Sequence, residues 1–210
     1  MHSLRLFLVI LMLALTTGQT QADWYVANSN SNTISLSLQG SNCASFVGTV
    51  PVGANPAGIA VNAAGTRLYV TNMGSGTVSV IDTTNTLIPA VIATVPIGTN
   101  PTGIAVNPSG TRVYVTQQGT GRVSVMDTAG NAVIASTLVF GQTNGSSGIS
   151  VSPDGTRVYV ATSGGLSVIN AVNNTVVTTV PVGTNPVGVA VSPDGTRVYV
   201  ANFSGSVAVL

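Results

Sequence analysis

The chain has 210 residues, 44% of them hydrophobic and only 5% charged, with a net charge of +1; an ordinary soluble domain carries about 25% charged residues. Lys and Glu are absent, and the charges are Arg and Asp in near balance, which leaves neither a basic footprint for nucleic acid nor an acidic tail. So little charge combined with many Val and Thr suits stacked β-sheets and excludes a disordered chain.

Residues 1–22 are of a different kind. MHSLR is a short positive start, LFLVILMLAL (6–15) an apolar run, and Thr20-Gln21-Ala22 a small-x-small end. An apolar run of about 7–15 residues before such an end is the pattern of a secretory signal peptide, and it is shorter than the roughly 18–20 residues that span a bilayer. Cleavage after Ala22 is expected, with export to the periplasm, cell surface or medium and no membrane insertion of the remainder. His2, the only histidine, and Arg5 would leave with that segment. Cys43, the only cysteine, cannot close an internal disulfide; it reads as a small hydrophobe in or near a first-blade turn.

From residue 24 onward the chain repeats. WYVAN at 24–28 opens it, and longer phrases follow: GIAVNAAGTRLYVTN at 58–72, GIAVNPSGTRVYVTQ at 103–117, GISVSPDGTRVYVAT at 148–162 and GVAVSPDGTRVYVAN at 188–202. Tyr25, Tyr69, Tyr114, Tyr159 and Tyr199 hold one slot in the phrase, 40 to 45 residues apart. Such a period marks a solenoid, propeller or array. In the second repeat GIAVN (58–62), TRLYVTN (66–72), TVSVID (77–82) and AVIATVPI (90–97) read as four strands by alternation. The turns have a mechanism: in SPDG (152–155 and 192–195) Pro presets φ, Asp favours the turn and Gly supplies positive φ. Asp82 and Asp127 open the third hairpin through side-chain-to-backbone bonds, and Asn-Pro at 55–56, 100–101 and 185–186 marks the crossing between repeats. Gly58, Gly103, Gly148 and Gly188 lie in first strands, where backbones crowd a narrow axis.

Four antiparallel strands per repeat make the blade of a β-propeller, an all-β fold. The expected division is a partial first blade at 23–54, blades at about 55–98, 99–142 and 143–183, and a partial last blade at 184–210. The chain enters on a second strand and stops inside a third, so about five blades are expected in an open or incomplete ring, and a truncated chain with an exposed edge capable of self-association.

YVTN at 69–72, with YVTQ at 114–117, YVAT at 159–162 and YVAN at 25–28 and 199–202, is preceded by GTR in the later copies and followed by TVSVID in one of them. This resembles the YVTN-type β-propeller repeat over roughly residues 24–210. The resemblance implies an exported propeller akin to surface-layer proteins, or to lactonases, lyases and quinone-linked accessory propellers.

Residues 23–210 carry no His, Lys or Glu. No base remains beside a Ser or Cys nucleophile, a His/Cys zinc site cannot be assembled from one Cys, and no DxDxDG-like calcium loop occurs. Asp82, Asp127, Asp154 and Asp194 recur in turn slots; Arg67, Arg112, Arg157 and Arg197 all follow Gly-Thr at the start of second strands. Repetition assigns both sets to structure. No cofactor, metal or catalytic residue is expected. Positions that differ between repeats are the better candidates, on the face where second-to-third loops meet inter-blade loops. These ligand-binding candidates are Met73, Gln118 and Phe203 in corresponding loop slots, Gln117 and Asn202 just before them, and Arg122, whose counterpart is Thr77. The expected function is a non-catalytic exported scaffold presenting these loops to a protein or glycan of the cell envelope. The alternative is a fragment of a propeller enzyme whose catalytic groups lie in missing blades.

Overall fold

The computed structural model describes residues 10–12, 23–39, 44–85, 89–139 and 148–210; Cys43 lies outside them. Nineteen strands and no helix occur among these residues. The first sheet contains β1 (Ile10–Met12), β2 (Asp23–Asn28), β3 (Thr33–Gln39) and β4 (Ala44–Pro51). The second contains β5 (Pro56–Val61), β6 (Arg67–Asn72), β7 (Thr77–Asp82) and β8 (Ala90–Pro96). The third contains β9 (Pro101–Val106), β10 (Arg112–Gln117), β11 (Arg122–Asp127) and β12 (Ala132–Leu138). The fourth contains β13 (Ile149–Val151), β14 (Arg157–Thr162), β15 (Gly165–Asn170) and β16 (Thr175–Val180). The fifth has three strands, β17 (Pro186–Val191), β18 (Val198–Asn202) and β19 (Val207–Val209).

Every sheet is an antiparallel meander in sequence order, the architecture of propeller blades. The recurring tyrosine fixes a common register. Tyr69 pairs with Ala60 and Val80, Tyr114 with Ala105 and Val125, Tyr159 with Ser150 and Val168, and Tyr199 with Ala190 and Val209. The first blade departs from the expected strand count, because β1 takes the first-strand position, with Leu11 opposite Tyr25. A β-bulge recurs between third and fourth strands, at Val80/Ile81, Val125/Met126 and Val168/Ile169, where it increases the local twist.

The core consists of layers between successive blades. Tyr69, Val78 and Val80 of the second blade pack on Val113, Val115 and Met126 of the third. Val123 and Val125 of the third pack on Val158, Val160 and Ile169 of the fourth. Third strands such as β11 are buried through most of their length, whereas β8 and β12 are largely exposed. The first strands approach so closely that a Cβ at Gly58 would lie 2.2 Å from the Thr102 carbonyl oxygen, and one at Gly148 2.4 Å from the Val189 nitrogen. Glycine is needed there for space. Thr71 stitches the same junction, accepting from the Gly58 N–H at 2.7 Å and donating to the Thr102 carbonyl at 2.8 Å.

Candidate functional site

Second-to-third loops and inter-blade linkers meet on one face through a repeated backbone bond. The N–H of Met73 donates to the Asn55 carbonyl, that of Gln118 to Asn100, and that of Phe203 to Asn185, each at 2.9 Å. The three asparagines occupy left-handed backbone, with φ of 56°, 46° and 53°, a conformation Asn tolerates better than most residues. The loop residues are thereby anchored by their backbones while their side chains vary. Phe203 is 82% exposed, whereas Met73 and Gln118 are half-buried.

Gln117 and Asn202 turn inward. The Nε2 of Gln117 donates to the Ile97 carbonyl at 2.9 Å and to Ser124 Oγ at 2.6 Å. Asn202 Nδ2 donates to the Val182 carbonyl at 2.7 Å and to Ser206 Oγ at 3.2 Å. Both side chains are buried and tie a blade to the linker that enters it. Asn28 and Asn72 hold the same slot and bond third-strand hydroxyls instead. This amide–hydroxyl pairing was not anticipated, although the recurrence of Asn or Gln before a T-x-S or R-x-S strand start carries its signal. Arg122 is exposed, and its Nη1 lies 3.4 Å from Ser136 Oγ. The structure therefore places Met73, Gln118, Arg122 and Phe203 at the surface of three blades and directs Gln117 and Asn202 into blade junctions.

Apart from Arg122 and Asp23, the charged residues among those described lie at the turns between first and second strands and between third and fourth strands. The Nη1 of Arg112 donates to the Ala171 carbonyl in the next blade, while Arg67 pairs in register with Asp82. Asp154 accepts from the Ser152 hydroxyl at 2.5 Å, the Thr156 N–H at 3.0 Å and the Thr156 hydroxyl at 2.8 Å. These donors, the Ser152 hydroxyl foremost, hold its pKa down to about 2. Asp194 repeats the arrangement with Ser192 and Thr196 and is likewise lowered to about 2. Burial raises the pKa of Tyr69, partly offset by Arg67. A carboxylate held far below neutrality by its own turn is a poor general base. Among the described residues no group of three His, Cys, Asp or Glu side chains could hold a metal ion, and no helix is long and apolar enough to cross a membrane.

The meander blades, inter-blade cores and loop-bearing face define a β-propeller. The chain belongs to the lactonase seven-bladed β-propeller family, whose model matches residues 25–132, just over half of its length. Among solved structures it is similar to the hydrazine synthase of Kuenenia stuttgartiensis, with a TM-score of 0.72 and 25% identity over 85% of this chain and 51% of that one. It is also similar to a proposed 6-phosphogluconolactonase from Bacteroides uniformis, with a TM-score of 0.77 and 17% identity over 91% of this chain and 64% of that one. A functionally unknown protein from Desulfotomaculum acetoxidans gives a TM-score of 0.77 and 17% identity over 96% of this chain and 68% of that one. The chain thus spans between about half and two thirds of the length of these structures. No curated protein matches it in sequence.

Proposed function

We propose that residues 23–210 form five blades of a lactonase-type propeller enzyme whose catalytic groups are carried by other blades of the complete polypeptide. One observation carries this reading: a family match over residues 25–132 falls in a segment without His, Lys or Glu. Lactone opening needs a positioned base or a metal-activated water, and the Asp side chains of the turns are already engaged. Likeness to a proposed 6-phosphogluconolactonase suggests a sugar lactone as the substrate class. The test is lactone hydrolysis by the complete polypeptide, followed by pH-stat on gluconolactone and 6-phosphogluconolactone. Turnover above the spontaneous rate supports the reading. An inactive complete polypeptide defeats it, and turnover by residues 23–210 alone defeats the placement of the catalytic groups.

A second reading is favoured by the unlike side chains Met73, Gln118 and Phe203 in one backbone-anchored loop slot. In it the blades are a YVTN-type exported scaffold, and the loop face binds a protein or glycan of the cell envelope. Arg122 extends that surface. Export itself is tested by the mass of the secreted protein, which in this reading begins at Asp23 and lacks β1, whereas retention of β1 defeats cleavage after Ala22.

A further inference from the structure

At the junction of the first and second blades lies a cavity of about 320 Å³, near the lower end of the roughly 300–1,000 Å³ range of small-molecule pockets. The second blade lines it with Ser75, Thr77, Ser79, Thr94 and Val91, and the end of β4 and the linker after it contribute Pro51, Val52 and Gly53. No charged residue lines it.

Fully buried Asn72 lies against the hydroxyl-bearing residues of this lining. Its Nδ2 donates to Thr77 Oγ1 at 3.0 Å and to Ser79 Oγ at 2.9 Å, while its Oδ1 has no partner. An alcohol oxygen that accepts a hydrogen bond still has its own proton to donate. The Ser79 hydroxyl therefore retains a donor. Thr77 and Ser75, with hydroxyl oxygens 3.1 Å apart, retain one more between them, whichever of the two donates to the other.

In the third and fifth blades the amide of the corresponding slot bonds the linker instead. Gln117 reaches the carbonyl of Ile97, and Asn202 that of Val182, each in the linker entering its own blade. Val52 holds the equivalent linker position, but Asn72 spends both amide protons on the third strand. Gly53, like Gly98 and Gly183 in the corresponding linkers, packs against the amide of its slot: a Cβ there would lie 2.4 Å from Ser75 Oγ and 2.7 Å from the Asn72 amide.

We propose that this cavity binds a neutral mono- or disaccharide. Pyranose hydroxyl and ring oxygens accept from the Ser and Thr donors, and the C–H face of the ring packs on Val52 and Val91. A charged ligand would lose hydration with no counter-charge in return. A purely apolar one would leave the hydroxyl donors unmet. The site is independent of lactone opening and of where the catalytic groups lie.

Saturation-transfer NMR and calorimetric titration of the 210-residue chain with maltose, cellobiose and N,N′-diacetylchitobiose test the proposal. Glucuronate and a Gly-Val-Gly-Val peptide serve as parallel probes. At least one neutral disaccharide should bind, more tightly than either of these. Asn72→Gln should reach the Val52 carbonyl as Gln117 reaches that of Ile97, closing the cavity and weakening binding at least about tenfold. Should that variant fail to fold, Ser75→Ala with Thr94→Val, both at exposed positions, decides the matter by weakening binding about threefold or more. Absence of binding by all three disaccharides, affinity unchanged in the variants, or preference for the peptide or glucuronate overturns the assignment.

Discussion

The Ser152 hydroxyl and the N–H and hydroxyl of Thr156 converge on the Asp154 carboxylate, and Ser192 and Thr196 do the same for Asp194. Folding thus lowers each pKa to about 2, from an unfolded value of about 3.9. A lowered carboxylate pKa contributes stability above the unfolded value, and that contribution is lost as pH falls through the folded one. The melting temperature should therefore drop between about pH 4 and pH 2. Replacing Asp154 and Asp194 together with Asn should flatten that drop in melts followed by circular dichroism; an equally steep profile would remove these turns as its cause. Asp82, lowered mainly by the Thr84 hydroxyl, contributes with the same sign. Tyr114 makes the opposite point, since its buried hydroxyl has no partner, an arrangement that costs stability. Tyr114→Phe should leave the melting temperature unchanged or raise it. At this scale the turn chemistry was readable, because SPDG states its own bonds. The inward direction of Gln117 and Asn202 was not anticipated, since a strand-terminal amide fits either a loop or a junction until the neighbouring linker is in place.

Strands within one blade differ more than their composition suggests. RVSVMD in β11 is buried at four central positions, whereas AVIASTL in β12 exposes most of its residues. The third strand lies between two neighbouring blades, and the fourth forms the outer rim. Met126 is fully buried and Ile134 is 51% exposed. Met126→Ala should cost about 2–5 kcal/mol by cavity formation, and Ile134→Thr no more than about 0.5 kcal/mol, measured by urea denaturation. Comparable losses would refute the layered core. Strand positions were legible because alternation and turn residues agree in every repeat; burial was less so, because Val and Ile occupy both strands. The position of β1 was also not legible. ILM belongs to an apolar run that reads as a leader, and only its pairing with Tyr25 and its neighbours places it on the sheet.

The first three blades bury their tyrosine-bearing faces under the next blade. Tyr69 is 1% exposed, and Val78 and Val80 are fully buried beneath the third blade. The same slots in the fifth blade are Tyr199, Val207 and Val209, with exposures of 37%, 63% and 57%. Their strand β19 is an edge, and it carries no charge to discourage pairing. Further blades of a complete polypeptide would cover this edge; in the 210-residue chain taken alone, an exposed, uncharged, β-branched edge is expected to pair with β19 of a second copy. Antiparallel pairing of two identical edges is isologous and closes as a dimer, whereas docking this face on the first blade of another copy would propagate into open chains. Sedimentation velocity should therefore resolve a concentration-dependent monomer–dimer equilibrium without a ladder of higher species. Val207→Asp with Val209→Lys should weaken the dimer at least about tenfold. Because both positions are solvent-facing, the melting temperature of the monomer should change little. A wild-type chain that sediments as a monomer up to about 100 µM, a range in which a micromolar Kd would be evident, would show that this edge does not pair. A dimer unaffected by the two charges would place its interface elsewhere.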